Sequence, residues 1–176
     1  MHLALYQPQV PPNTGNIGRL CVGMDCHLHI IGPCGFDFSD KALRRAGLDY
    51  WQHLTWTLYP SPEEFLVWLG ERRPWLVTKF GHHAFNDVPY SEDDIIILGN
   101  EARGLPDEWH TRWESNTLHI PMLGPIRSFN LANAAAMVLA QARLRTGRFA
   151  NYTPHVLPSR MGESGSEIAP APVTGE

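Results

Sequence analysis

Arg19, Glu101 and Arg103 are charged side chains set inside runs of glycine, asparagine and proline, where a backbone can bend close to a ligand. The first run, residues 7–19, holds Asn13, Thr14, Gly15, Asn16 and Gly18 ahead of Arg19, whose guanidinium suits a phosphate or an ordered loop. In the second, residues 98–106, Gly99 and Gly104 bracket Glu101 and Arg103. The third, residues 117–133, passes from a short apolar strand through Pro121, Gly124 and Pro125 to Arg127, Ser128 and Asn130. Ser128 reads as an N-cap there, and the free N–H groups of the following helical turn suit an anion or a polar ligand edge. Taken singly, each run has a plain explanation as well. Asn13 or Thr14 capping a helix accounts for the first, and a surface ion pair between Glu101 and Arg103 for the second.

Several chemistries are excluded. There is no Gly-x-Gly-x-x-Gly fingerprint and no Gly-Lys-Ser/Thr phosphate loop. Neither a Ser/His/Asp or Cys/His arrangement nor a carboxylate pair for glycosidase-type work is legible. Cys21, Cys26, His27, His29 and Cys34 lie close in sequence, but their spacing matches no paired zinc element. They read as core packing, with no metal.

These clusters need strands and helices to hold them. Residues 3–6 form a first strand, and 7–16 are too rich in proline and glycine for regular structure. A helix follows from about 16 to 24. Further expected strands cover 27–31, 50–58, 75–78, 95–98 and 117–120, with 95–98 a continuous apolar run suited to burial on both faces of a parallel sheet. Helices are expected at 40–46, at 62–69 with Ser61 as cap and Pro62 in its first turn, at 106–113, and from 130 to about 145. Residues 81–90 read as loop. Alternating strands and helices make this an α/β chain with a mostly parallel sheet flanked by helices, and place all three clusters at strand ends.

A chain of 176 residues with 43% hydrophobic and 18% charged content fits one domain, over residues 1–150, with a Pro/Gly/Ser-rich flexible tail at 151–176. The N-terminus lacks a signal-peptide pattern, and no run approaches the ~20 apolar residues of a membrane span. Three cysteines without a disulfide spacing suit a reduced, cytoplasmic protein. The net charge of −4 does not advertise nucleic-acid binding, so any RNA contact must use a local patch.

In order and together, the motifs resemble the SPOUT superfamily of RNA methyltransferases, closest to its minimal branch, the tRNA wobble-ribose 2′-O-methyltransferases of the TrmL/YibK type. Pro11, Pro12, Asn13, Thr14, Gly15, Asn16, Ile17, Gly18 and Arg19 carry the first motif; Gly99, Asn100, Glu101, Ala102, Arg103, Gly104, Leu105 and Pro106 the second. The third is Ile120, Pro121 and Met122 followed by residues 127–134, and the likeness extends over residues 29–50. That resemblance implies an α/β knot fold with a C-terminal deep trefoil knot. It also implies S-adenosylmethionine bound by Val77, Gly99, Ile120 and Ser128, with Met122 lining the pocket and Glu101, Gly104 and Asn130 beside it. The implied reaction is methyl transfer to the 2′-hydroxyl of C34 or U34 of tRNA by a cytoplasmic homodimer. Arg19 would hold the phosphate–ribose unit next to the methyl group; a guanidinium stays protonated and is a poor general base. Asn16, Arg103, Lys41, Arg44 and Arg45 would complete the RNA contacts. Another tRNA or rRNA ribose, or a non-catalytic RNA- or cofactor-binding protein, are the competing readings. Two positions depart from close relatives of this type: Ala132 replaces a usual serine, and Asn100 a common proline.

Overall fold

The computed structural model describes residues 1–37, 49–150 and 152–153. The expected helix at 40–46, with Lys41, Arg44 and Arg45, and nearly all of the expected tail lie outside the described residues. In chain order the elements are β1 (His2–Tyr6), α1 (Pro11–Gly23), β2 (His27–Ile31), a 3-10 turn (Asp49–His53), β3 (Trp56–Tyr59), α2 (Pro62–Leu69), β4 (Trp75–Val77), β5 (His83–Ala84), β6 (Ile95–Leu98), α3 (Asp107–Arg112), a second 3-10 turn (Glu114–Asn116), β7 (Thr117–His119) and α4 (Leu131–Arg145). The strands form one parallel sheet in the order β3-β2-β1-β6-β4-β7-β5.

Strand alternation divides the core. Leu3, Leu5, Leu28 and Ile30 pack with Ile17 and Cys21 of α1 and with Ala135, Val138, Leu139 and Ala142 of α4. On the other face Ala4, Ile31 and Tyr59 meet Phe65 and Leu69 of α2 and Trp109 of α3. All of β6 is buried, since both faces of the central sheet are covered by helices. Each fully buried leucine or isoleucine contributes roughly 1.5–3 kcal/mol, so this double core dominates stability. Arg143 is buried in α4, where its guanidinium donates to the Met24 carbonyl (2.9 Å), the Asp25 carbonyl and the Glu92 carboxylate (2.5 Å). It pins α4 to the turn between α1 and β2.

The face under α2 also carries polar rings. His29 is buried between Trp68, at a ring-centroid distance of 4.1 Å, and the stacked ring of His27, at 4.3 Å. Burial, with help from the neighbouring histidines and Arg72, pushes His29 down to about 3. Burial likewise takes His2 down to about 4, assisted by the amino terminus, His27 and Arg72 and opposed by Asp93.

Several expectations about local structure are corrected, among them the reading of 81–90 as loop, since His83–Ala84 pairs with β7 as β5. The first helix begins at Pro11, not near residue 16, because prolines are welcome in a first turn that has no N–H partner to lose. Neither Asn13 nor Thr14 caps it; Val10 is the N-cap, without a side-chain bond of its own. The stretch 50–58 is not one strand, since a 3-10 turn through His53 precedes β3. The cap of α4 is Asn130 rather than Ser128: its Oδ1 accepts from the N–H groups of Ala132 (2.9 Å) and Asn133 (3.4 Å).

Candidate active site

Three neighbouring strands end at one place. Val77 stands opposite both Leu98 and Leu118, so β4, β6 and β7 finish side by side. Val77 closes β4, Gly99 follows β6 directly and Ile120 follows β7 directly, all three half-buried. The carboxyl edge of a parallel sheet is where α/β folds bind ligands. Apolar side chains at Val77, in the middle, and Ile120, on one side of it, with the 99–104 loop on the other side, suit a flat heterocycle.

The loop after β6 is built for a sharp return. Asn100 N–H donates to the Gly104 carbonyl (3.0 Å) and Gly104 N–H returns a bond to the Asn100 carbonyl (2.8 Å). A Cβ on Gly99 would stand 2.5 Å from the Gly104 carbonyl carbon and 2.7 Å from the Leu105 nitrogen. Glycine is therefore required there by the closing of the loop itself. Gly104 holds φ +75°, the left-handed region open to glycine at little cost. Asn100, at a position where a proline is common, ties the loop: its Oδ1 accepts from Ala102 N–H (2.9 Å) and Arg103 N–H (3.0 Å), and its Nδ2 donates to the Gln7 carbonyl (2.6 Å). Gln7 has φ 46°, a conformation that costs a non-glycine residue about 1–2 kcal/mol.

A chain of side-chain bonds joins the three clusters. Glu101 accepts at Oε2 from Gln9 N–H (3.0 Å) and at Oε1 from Val10 N–H (3.2 Å) and Asn13 Nδ2 (3.1 Å). Asn13 Oδ1 in turn accepts from Asn130 Nδ2 (2.9 Å), while Asn130 caps α4. One carboxylate from the second cluster thus anchors the start of α1, and one asparagine of α1 meets the cap of α4. An anionic group at a helix N-terminus is favourable to the dipole as well as to the orphan N–H groups. Replacing Glu101 with Gln turns an amide NH₂ toward backbone donors. We expect a loss of about 1–3 kcal/mol in urea unfolding and faster amide exchange at Asn13 and Thr14.

Arg19 lies on the exposed side of α1, one helical turn after Asn16. Its guanidinium sits 4.7 Å from the centre of the Tyr50 ring. Tyr50 is fixed in turn, its hydroxyl donating to the Gly15 carbonyl at 2.5 Å. A Cβ on Gly18 would meet the Trp51 ring at 2.7 Å, so Gly18 opens a notch into which the 3-10 turn docks, with Tyr50 bonded to the Gly15 carbonyl beside it. Gln7, Asn13, Tyr50 and Asn100 were not singled out as site residues from sequence; the Gly15/Gly18 spacing was the available signal for the notch. Met122 is half-buried, whereas the side chains of Arg103 and Ser128 are exposed and outside the bonded chain.

The model of the SpoU rRNA Methylase family matches residues 1–140. The chain belongs to that family. It is 47% identical over 151 residues to a Listeria innocua protein provisionally named tRNA (cytidine(34)-2′-O)-methyltransferase, covering 84% of this chain and 89% of that one. A solved structure described as giving structural insights into the 2-OH methylation of C/U34 on tRNA is 39% identical, with a TM-score of 0.75 over 82% of this chain and 94% of that one. The SpoU methyltransferase AviRb from Streptomyces viridochromogenes, solved with AdoMet, is 27% identical with a TM-score of 0.69, covering 82% of this chain and 60% of that one. The parallel α/β sheet expected from the motifs is thus the fold of this family. Among the described residues no helix is long and apolar enough to cross a membrane.

Proposed function

We propose that this chain transfers the methyl group of S-adenosylmethionine to the ribose 2′-hydroxyl of the tRNA wobble nucleotide, C34 or U34. The observation that carries the reading is the Glu101–Asn13–Asn130 chain, which draws three distant clusters to the edge where β4, β6 and β7 end. The names of the relatives supply the substrate.

The cofactor brings a methyl group on a sulfonium leaving group, so the protein has mainly to position two reactants. Val77, Gly99 and Ile120 would frame the adenosine, with Gly104, Met122 and Ser128 along the rim; Glu101 and Asn130 act by holding that frame together. Arg19 would bind the phosphate–ribose unit and stabilise negative charge on the 2′-oxygen, while the hydroxyl proton leaves to a phosphate oxygen or water. Asn16 and Arg103, both exposed, and Lys41, Arg44 and Arg45 supply further RNA contacts in this reading. A second copy of the chain would cover Leu144, Phe149 and Tyr152, which are exposed at and beyond the end of α4. In this reading the C-terminal part of the chain is threaded into a deep trefoil knot, as the resemblance to the SPOUT superfamily implies. A reduced, cytoplasmic setting agrees with this substrate and with three free cysteines.

Tyr50 is the positioning residue for Arg19. Tyr50→Leu removes the ring beneath the guanidinium and lowers kcat about tenfold, with little change in KM for the cofactor. Tyr50→Phe keeps the ring and recovers most of the rate. Equal rates for Tyr50→Leu and the unmodified chain would show that the ring does not set Arg19. The function itself is tested by thermal stabilisation with S-adenosylhomocysteine, followed by labelled-methyl transfer to tRNA. Both are expected, and stabilisation without transfer would favour a non-catalytic binder.

A further inference from the structure

At the opposite, amino-terminal edge of the sheet, three imidazoles converge from separate chain positions. His2 opens β1 and His27 opens β2, directly opposite one another in the register, and His29 follows on the same face beside Ala4. One ring nitrogen of each lies within 4.8 Å of the other two. His2 Nδ1 and His29 Nε2 are 2.9 Å apart. That contact is a hydrogen bond whose proton an ion would replace, while the outer nitrogens of His27 and His29 are held by oxygens in the manner of metal-bound histidines. His29 Nδ1 shares a hydrogen bond with the Tyr59 hydroxyl (3.0 Å), and His27 Nε2 with Thr57 Oγ1 (2.9 Å). His29 Nε2 and His27 Nδ1 are left for the interior of the cluster. A cavity of about 260 Å³, lined by Met1, Cys21, Val22, Asp25, Cys26, His53 and Thr55, also touches His2 and His27 but not His29.

We propose that His2, His27 and His29 bind one divalent metal ion of the zinc class. Three imidazoles suit Zn²⁺ and its borderline neighbours, and exclude the oxygen-seeking Mg²⁺ and Ca²⁺. At Zn–N distances near 2.0–2.1 Å, tetrahedral geometry separates ligand nitrogens by about 3.3 Å. The His2–His29 pair therefore opens by a few tenths of an ångström, and the His27 ring turns out of its stack on His29. Both His2 and His27 are half-buried at the first position of a strand, where such rotation is least hindered. A water would complete the tetrahedron as fourth ligand. The ion would cross-link β1 to β2 far from the methyl-transfer crevice, as a structural site. The reading of Cys21, Cys26, His27, His29 and Cys34 as non-metal concerned local spacing alone; His2 joins the group only through the β1–β2 pairing.

The test uses the untagged full-length protein, stripped with chelator and titrated with Zn²⁺ by calorimetry and with Co²⁺ by visible absorption. One ion per chain is expected, with the absorption of tetrahedral Co²⁺ and a rise in Tm on adding Zn²⁺. The double variant His2→Asn/His27→Asn, which leaves the buried His29 in place, should bind at least tenfold more weakly and lose the Tm response. Equal affinity in the variant, or no stoichiometric binding to the unmodified chain, overturns the site. Should the variant not fold, anomalous diffraction at the zinc edge from zinc-soaked crystals of the unmodified chain decides. A peak among the three rings supports the proposal, and a peak elsewhere or none refutes it.

Discussion

Replacing Arg19 with alanine is expected to cut methyl transfer about a thousandfold, while binding of S-adenosylhomocysteine stays within about twofold. The magnitude is that of removing one preorganised donor aimed at charge that develops in the transition state. The separation of the two effects follows from geometry. Arg19 projects from the exposed face of α1 over Tyr50, whereas the adenosine frame we propose lies at the ends of β4, β6 and β7. Lysine should not rescue, because a point charge cannot reproduce a planar fork lying on a ring. Single-turnover kinetics with labelled cofactor check the first half and calorimetry the second. A rate in Arg19→Ala within tenfold of the unmodified chain would remove Arg19 from the chemistry.

Gly99→Ala is expected to abolish cofactor binding while leaving the sheet folded. A methyl group at this position meets backbone atoms of Gly104 and Leu105 at 2.5–2.8 Å, not the flexible end of a side chain. The two-way bond between Asn100 and Gly104 must open to admit it, which releases the Asn100 contact with Gln7 and the Glu101 clamp on α1. The crevice then loses its floor and its tie to the first cluster together. A drop in Tm of several degrees, with S-adenosylhomocysteine no longer stabilising the protein, is the expected result. Retained stabilisation by the ligand would show that the loop relaxes around the methyl group and that its closure does not govern binding.

Much of the fold was legible because its cause is local. The four-residue apolar run of β6 and the Ser61 cap with Pro62 in the first turn of α2 each carry their signal within a few positions. The misreadings share the opposite property. The start of α1 is set by Glu101, some ninety residues away, so prolines that looked prohibitive occupy the turn that tolerates them. Residues 50–53 looked strand-forming from their aromatics, but Tyr50 and Trp51 meet α1 at Gly15 and Gly18 and take a 3-10 turn instead. Ser128 and Asn130 are both good caps, and Asn130 prevails because its amide also reaches Asn13. For the site, the glycines marked the bends, but the asparagine and glutamate bonds that gather them span 88 and 117 residues. No local pattern encodes such pairs.

The central claim is met most directly by mass spectrometry of tRNA nucleosides and oligonucleotides after incubation with the purified protein and isotope-labelled S-adenosylmethionine. One labelled methyl group on the ribose of nucleotide 34, absent with Arg19→Ala, is the predicted result. Label on a base, on a different ribose, or on no nucleotide of any tRNA would contradict it.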